Sequence, residues 1–362
     1  MKKRLRTGYT TGACAAAATK AALLYLLSGK RPTKVELTLP TGTKIPIPVA
    51  EVFKNSKGVQ ATVIKDAGDD PDVTNGAEIV ARVRLLTEQK ILIRGGKGVG
   101  VVTKPGLPVP PGEPAINPTP RQMIEQAARE VLENGQGAEI TIIVPEGEKL
   151  AQKTLNPRLG IVGGISILGT TGLVKPVSAE AWLATIETSL SVARALGLEQ
   201  VVLSFGRASE LSHMKHFGFP EEAYVPMGDY VEFSVKAAFR YGFKKIDLCG
   251  QWAKLLKCAL VAENPPAVPE DYGFTTHVRH GMVRPDEAQR AFARWGIKLP
   301  ELPPLNTARE LLLFIQKMPE NLQKEVFSAV LKRVKKLAQA FAPEVETRVV
   351  LISYQREVLF VL

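Results

Sequence analysis

The sequence predicts a two-domain protein. An α+β domain over residues 1–177 joins an α/β domain over residues 178–362 that carries a parallel or mixed sheet. Three observations predict this. The chain of 362 residues exceeds the roughly 100–200 residues usual for one domain. The first half sets an alanine-rich helical run beside several short β-like runs and a second helix. The second half alternates helical and β-like segments, the rhythm of parallel strands with crossover helices.

Taken in order, Thr10-Thr11-Gly12 leads into an alanine-rich stretch at 13–27, which Thr10 or Thr11 can cap and Gly29 can end. β-like runs follow at 35–39, 45–49, 59–64, 78–86 and 90–94. They mix alternating with continuous apolar character and read as a half-buried sheet. Residues 95–120 are loop-like, with Gly and Pro throughout. Thr119-Pro120 then opens a helix, a cap followed by proline at the first helical position. Its apolar residues Ile124, Ala127, Ala128, Val131 and Leu132 keep helical spacing, and Asn134-Gly135 ends it. Residues 139–144 read as a buried strand. In the second half a helix at 178–196 leads to a strand at 201–205, and a helix at 228–241 to a strand at 245–250, with another helix after it. Helical patterns follow a Pro-rich loop at 285–295, 306–317 and 319–341, and runs at 348–354 and 358–362 read as closing strands.

Lys+Arg 47 against Asp+Glu 36 leaves a net charge of +11, which favours anionic partners. No tight basic block with interleaved aromatics is present and aromatics make up 6%, so nucleic acid is not expected. Lys20 splits the apolar N-terminal run, and no stretch reaches the roughly 18 charge-free apolar residues of a membrane span. The three cysteines form no CxxC pair and predict no disulfide framework, which fits a reducing cytoplasm.

Four segments are candidates for chemistry. Residues 156–176, NPRLGIVGGISILGTTGLVKP, carry Gly163-Gly164 and Gly169-Thr170-Thr171-Gly172. Glycine there permits close backbone approach to a ligand, or simply a connector. Residues 5–18 place a glycine turn at a helix start, where unpaired N–H groups suit an anion. Cys14 falls in that first turn, as a stabilised thiolate or as a buried, inert thiol. Residues 65–76 crowd Asp66, Asp69, Asp70 and Asp72 around Gly68 and Pro71. Such a group can bind a cation, orient a cationic ligand or hold a proton, or it is a solvated turn. It lacks the spacing and terminal Glu of a calcium loop. Residues 95–118 contain Gly96-Lys97-Gly98-Val99-Gly100, without the spacing of a nucleotide loop. The histidines His213, His216, His277 and His280 pair at a spacing of three but have no evident carboxylate partner. Exposed or capping roles are expected for them and no metal site is predicted.

In this order, LRTGYTTGACAAAA at 5–18, KDAGDDPDVTNG at 65–76, the 95–118 stretch with the TPRQMI that follows it, and the 156–176 run resemble the blocks of the CbiD family. Its members are cobalt-precorrin-5B C(1)-methyltransferases of anaerobic cobalamin biosynthesis. The resemblance covers about the first half. In the second half, Gly250-Gln251-Trp252-Ala253-Lys254 stands where the family has Gly-His-Ile-Gly-Lys, and Phe205-Gly206-Arg207 where it has Pro-Gly-Asn. Thr275-Thr276-His277-Val278 replaces Asn-Thr-His-Ser, and Asn75 stands where histidine is frequent. The resemblance implies a first domain related by circular permutation to the second domain of ribosomal protein S5. It implies S-adenosylmethionine as methyl donor, a tetrapyrrole as substrate, and transfer to ring carbon C-1 to give cobalt-precorrin-6A. Cobalt would arrive only within the substrate. Under this reading Asp66, Asp69 and Asp70 are the candidate catalytic residues. Thr10, Thr11, Gly12, Gly96, Gly98, Lys104, Arg158, Gly163, Gly164, Thr170 and Thr171 are candidates for holding substrate or donor. Lys104, Arg158 and Lys175 suit the acetate and propionate groups of such a ring. A homo-oligomer is compatible with the sequence. The altered second half leaves a second reading open, a tetrapyrrole-binding protein of the same pathway that lacks donor binding.

Overall fold

The alanine-rich helix, Thr11–Ser28, forms the centre of the first half of the chain. Thr10 is extended and its Oγ1 accepts the Ala13 amide at 3.1 Å, while Gly29 at φ 71° ends the helix with its N–H on Tyr25 O. Ala13 to Ala18 are all fully buried, so the helix is enclosed on every side instead of along one stripe. By length and composition it could cross a membrane, yet 67% of it lies buried inside the protein. Its small side chains let the sheet approach from one side and the helix Pro118–Arg129 from the other.

The computed structural model describes residues 5–263 and 283–362. The chain divides into two units, Met1–Ala179 and Glu180–Leu362. His277, His280 and the block at 275–278 lie outside the described residues. The first unit holds a five-stranded sheet in the order Glu51–Asn55, Gly58–Ile64, Glu78–Leu86, Gly137–Ile143, Ile91–Gly95. All neighbours are antiparallel except the last pair. Val59, Ala61 and Val63 alternate inward, as the sequence pattern requires. The edge strand Glu51–Asn55 escapes the pattern because only Val52 and Phe53 are apolar. Residues Lys34–Thr38 and Lys44–Pro48 form a separate hairpin. The second helix starts at Pro118 after Asn117, two residues before the predicted Thr119-Pro120 start, because Asn117-Pro118 supplies the same proline-first geometry.

The second unit is a mixed sheet with helices on both faces. In space its strands run Tyr224–Pro226, Gln200–Ser204, Lys245–Gln251, Glu346–Ile352, Val358–Val361. The first four are parallel and the last is antiparallel. Numbered along the chain, the order is 2-1-3-4-5, so the connections leave strand Gln200–Ser204 in opposite directions. Val201, Leu203, Ile246 and Leu248 point into the larger core, while Val202 and Cys249 point to the face covered by helix Arg207–Phe217. Sequence patterning missed that helix and the strand Tyr224–Pro226. Ser209, Ser212 and His213 interrupt the helical stripe, and three residues are too few for a strand signal.

Candidate functional site

The four sequence blocks meet along residues 160–177. Gly8 and Tyr9 pair antiparallel with Val174 and Leu173, and the Thr10 amide donates to Gly172 O at 3.0 Å. Thr11 Oγ1 accepts the Leu168 amide at 2.9 Å, and the Gly12 amide donates to Leu168 O at 3.0 Å. Gly98–Val99 runs parallel to Gly164–Ile165, and Val101–Val102 antiparallel to Ile161–Val162. The Thr103 amide reaches Gly160 O at 2.7 Å, and the Asn117 amide reaches Ile167 O at 3.0 Å. The Asp loop joins through Tyr9, whose amide donates to Asp66 O at 2.7 Å, and through Asp70, which accepts the Val177 amide at 3.0 Å.

Several of the predicted glycines serve this meeting of backbones. A Cβ on Gly98 would lie 1.8 Å from Val144 O, and one on Gly164 2.1 Å from Gly98 O. A Cβ on Gly96 would meet the Ile143 side chain at 2.7 Å and one on Gly12 the Pro120 ring at 2.8 Å, a milder crowding. Gly163 differs: its φ is +82° and nothing lies within 4 Å of a Cβ there. The expected unpaired amides at the helix start require a correction. The Gly12, Ala13 and Cys14 amides are bonded to Leu168 O, Thr10 Oγ1 and Thr10 O, so these three amides are already taken. Cys14 is fully buried, and burial pushes its thiol up to about 12, which removes the stabilised-thiolate reading.

The carboxylates of the Asp loop each have a defined partner. Asp66 accepts Arg6 Nη2 at 2.8 Å and the Gly68 amide at 2.9 Å; the Arg6 bond foremost holds its carboxyl below the usual carboxylate range. Asp69 accepts the Arg6 amide at 2.7 Å. Burial opposes ionisation of Asp72, but hydrogen bonds from Lys65 Nζ at 2.6 Å and from Thr74 outweigh it and lower its pKa. Lys65 itself is buried. A shared proton does not fit Asp66 or Asp72, which stay ionised. Arg6 and Lys65 were missed as partners. The signal was there in Arg6, which belongs to the first block and complements the charge of the second.

Of the predicted cations, Lys104 donates to Arg158 O at 3.1 Å and lays its stem over Gly160. Arg158 is only 6% exposed, so it is not an ordinary surface cation. Gly163, Thr170, Thr171 and Lys175 are each exposed. Val101 and Val162, register partners, are 42% and 57% exposed.

The second unit carries a polar group that the sequence did not suggest. His213 is fully buried, with Nε2 2.9 Å from Asp247 and Nδ1 3.0 Å from the Tyr224 hydroxyl. Asp247 also accepts Arg348 Nε at 2.9 Å and Gln200 at 3.0 Å. Burial opposes its ionisation, but the bonds from His213 and Arg348 lower its pKa. His213 is therefore a core residue, contrary to the exposed or capping role expected of it.

The family model CbiD matches residues 1–176. The cobalt-precorrin-5B C(1)-methyltransferase of Desulfotalea psychrophila is 45% identical over 99% of this chain and 98% of its own length. That of Geobacter metallireducens is 43% identical over 99% of both chains. A 1.9 Å crystal structure of the cobalamin biosynthesis protein CbiD from Archaeoglobus fulgidus has a TM-score of 0.39 and 30% identity, covering 69% of this chain and 78% of that one. By its sequence, over nearly its whole length, the chain belongs to the CbiD family.

Proposed function

We infer that this protein is a cobalt-precorrin-5B C(1)-methyltransferase of cobalamin biosynthesis, an enzyme giving cobalt-precorrin-6A. The observation that carries this is 45% identity to a relative of that name over 99% of the chain. The alignment runs through the second unit as well, which weighs against a binding protein without donor chemistry. S-adenosylmethionine is the donor in this reading. C-1 of the ring would supply the electron pair for the new bond to the sulfonium methyl in an in-line displacement, and the sulfur would leave with the pair of the broken bond as S-adenosylhomocysteine. Such a reaction asks mainly for positioning of the two partners. Cobalt comes with the substrate, and the enzyme works in the cytoplasm.

The exposed side of the junction in the first unit is the proposed seat of the tetrapyrrole. Val101 and Val162 offer apolar surface to a ring face. The Gly163 backbone, Thr170, Thr171 and Lys175 stand ready for its carboxylates. Asp66 and Asp70 contribute by fixing the junction through Arg6 and Val177, and Asp69 is the most exposed residue of the three. Anaerobic incubation with cobalt-precorrin-5B and S-adenosylmethionine, followed by mass spectrometry, tests the reading. A product heavier by one methyl supports it. Tetrapyrrole binding without that gain favours the binding protein.

A further inference from the structure

The 2-1-3-4-5 strand order creates a crevice where the chain reverses direction. In open parallel sheets that place, outside the carboxyl ends of the first and third strands, is where ligands settle. Here those ends are Ser204-Phe205-Gly206 and Gly250-Gln251, with Met227-Gly228-Asp229 just past the flanking second strand. The Met227 and Gly228 amides both donate to Ser204 O, at 2.9 and 3.2 Å, which draws the second strand's exit over the end of the first. Asp229 and Lys254 then meet across that end. Lys254 Nζ lies 2.9 and 3.0 Å from the two Asp229 oxygens, although the residues follow strands on either side. The carboxylate is thus fixed at the mouth of the crevice, with 10% of its side chain exposed.

A second feature stands beside it. A Cβ on Gly228 would lie 3.1 Å from Cε2, Cζ2 and Nε1 of Trp182 alike, so the indole lies across the glycine by its face. Its Nε1–H donates to Met227 O at 3.2 Å, which pins the ring. Trp182 nevertheless remains 47% exposed, while Trp252 is wholly buried. A pinned aromatic plane left open to solvent, next to a fixed carboxylate at a topological switch point, has the chemistry of a nucleoside site. A base stacks on the plane, and vicinal ribose hydroxyls donate to the carboxylate.

We propose that the adenosine part of the methyl donor binds the second unit at this crevice, its purine on Trp182 and its ribose hydroxyls on Asp229. The proposal rests on the methyltransferase reading, since that reading supplies an adenosine-bearing ligand. Lys254 acts as a positioning residue that holds the carboxylate. The probe is S-adenosylhomocysteine, titrated calorimetrically and by tryptophan fluorescence into the full chain. Base–aromatic stacking predicts that Trp182→Ala weakens binding roughly 10- to 100-fold. Trp182→Phe keeps most of the affinity but loses the fluorescence quench, and Asp229→Asn weakens S-adenosylhomocysteine far more than 2′,3′-dideoxyadenosine. An unchanged melting profile of Trp182→Phe guards against misfolding. If the wild type transfers methyl while Trp182→Ala and Asp229→Asn bind the probe as tightly as it does, the donor site is overturned and the activity stands. If the folded wild type neither binds the probe nor transfers methyl, both fall.

Discussion

Gly164→Ala places a methyl group where three backbone atoms already stand. Its Cβ would lie 2.1 Å from Gly98 O, 2.2 Å from Gly98 C and 2.8 Å from Gly100 N. To reach an ordinary contact of 3.4 Å, the 98–100 segment must retreat by more than 1 Å. That retreat breaks the pairing of Gly98–Val99 with Gly164–Ile165 and stretches the bond from the Gly100 amide to Ile165 O, now 3.0 Å. Losing one or two buried backbone bonds costs about 2–5 kcal/mol in all. For a unit of this size that is about 5–15 °C in Tm. Gly163→Ala is the control next door. It meets nothing within 4 Å and carries only the penalty of a positive φ, about 1–2 kcal/mol. Calorimetric melting of both variants decides the matter. A Gly164→Ala protein that melts with the wild type, or above Gly163→Ala, would refute the reasoning that these glycines exist for close backbone approach.

Other outcomes follow from the same contacts. Thr11→Val keeps the shape but strands the Leu168 amide, and urea unfolding should register a loss of about 1–3 kcal/mol. Asp72 has a depressed folded pKa, so its stabilisation is full above the unfolded value near 3.9 and is lost as pH falls through the folded value. Asp72→Asn should therefore flatten the acid limb of the melting profile below about pH 4 while lowering stability at neutral pH, because Lys65 stays buried without its counter-charge. All three cysteines are buried, with thiols raised by burial, so a thiol reagent should label none of them until the chain unfolds. His213→Leu should destabilise the second unit by about 1–3 kcal/mol in chemical denaturation and leave methyl transfer intact at low temperature.

Much of the fold was legible because local rules agreed with tertiary needs. Thr10 and Gly29 mark the ends of the first helix in the sequence and cap it in space. The helix at Ala179–Ala195 and the strands around 201–205 and 245–250 follow simple periodicity. What escaped was decided by distant partners. Thr11 and Gly12 look like an anion site until Leu168, over 150 residues away, takes their bonds. Arg158 reads as one more surface cation until the chain folds it inward. The strand Tyr224–Pro226 is too short to read, and without it the strand order, the switch point and the place of Trp182 and Asp229 cannot be derived.

The assignment is tested most directly by the position of the transferred carbon. S-adenosylmethionine bearing a ¹³C-methyl group, incubated anaerobically with this protein and cobalt-precorrin-5B, should give a product with one enriched methyl signal, on ring carbon C-1. An enriched methyl on any other ring carbon, or folded protein that leaves the substrate unlabelled, would contradict it.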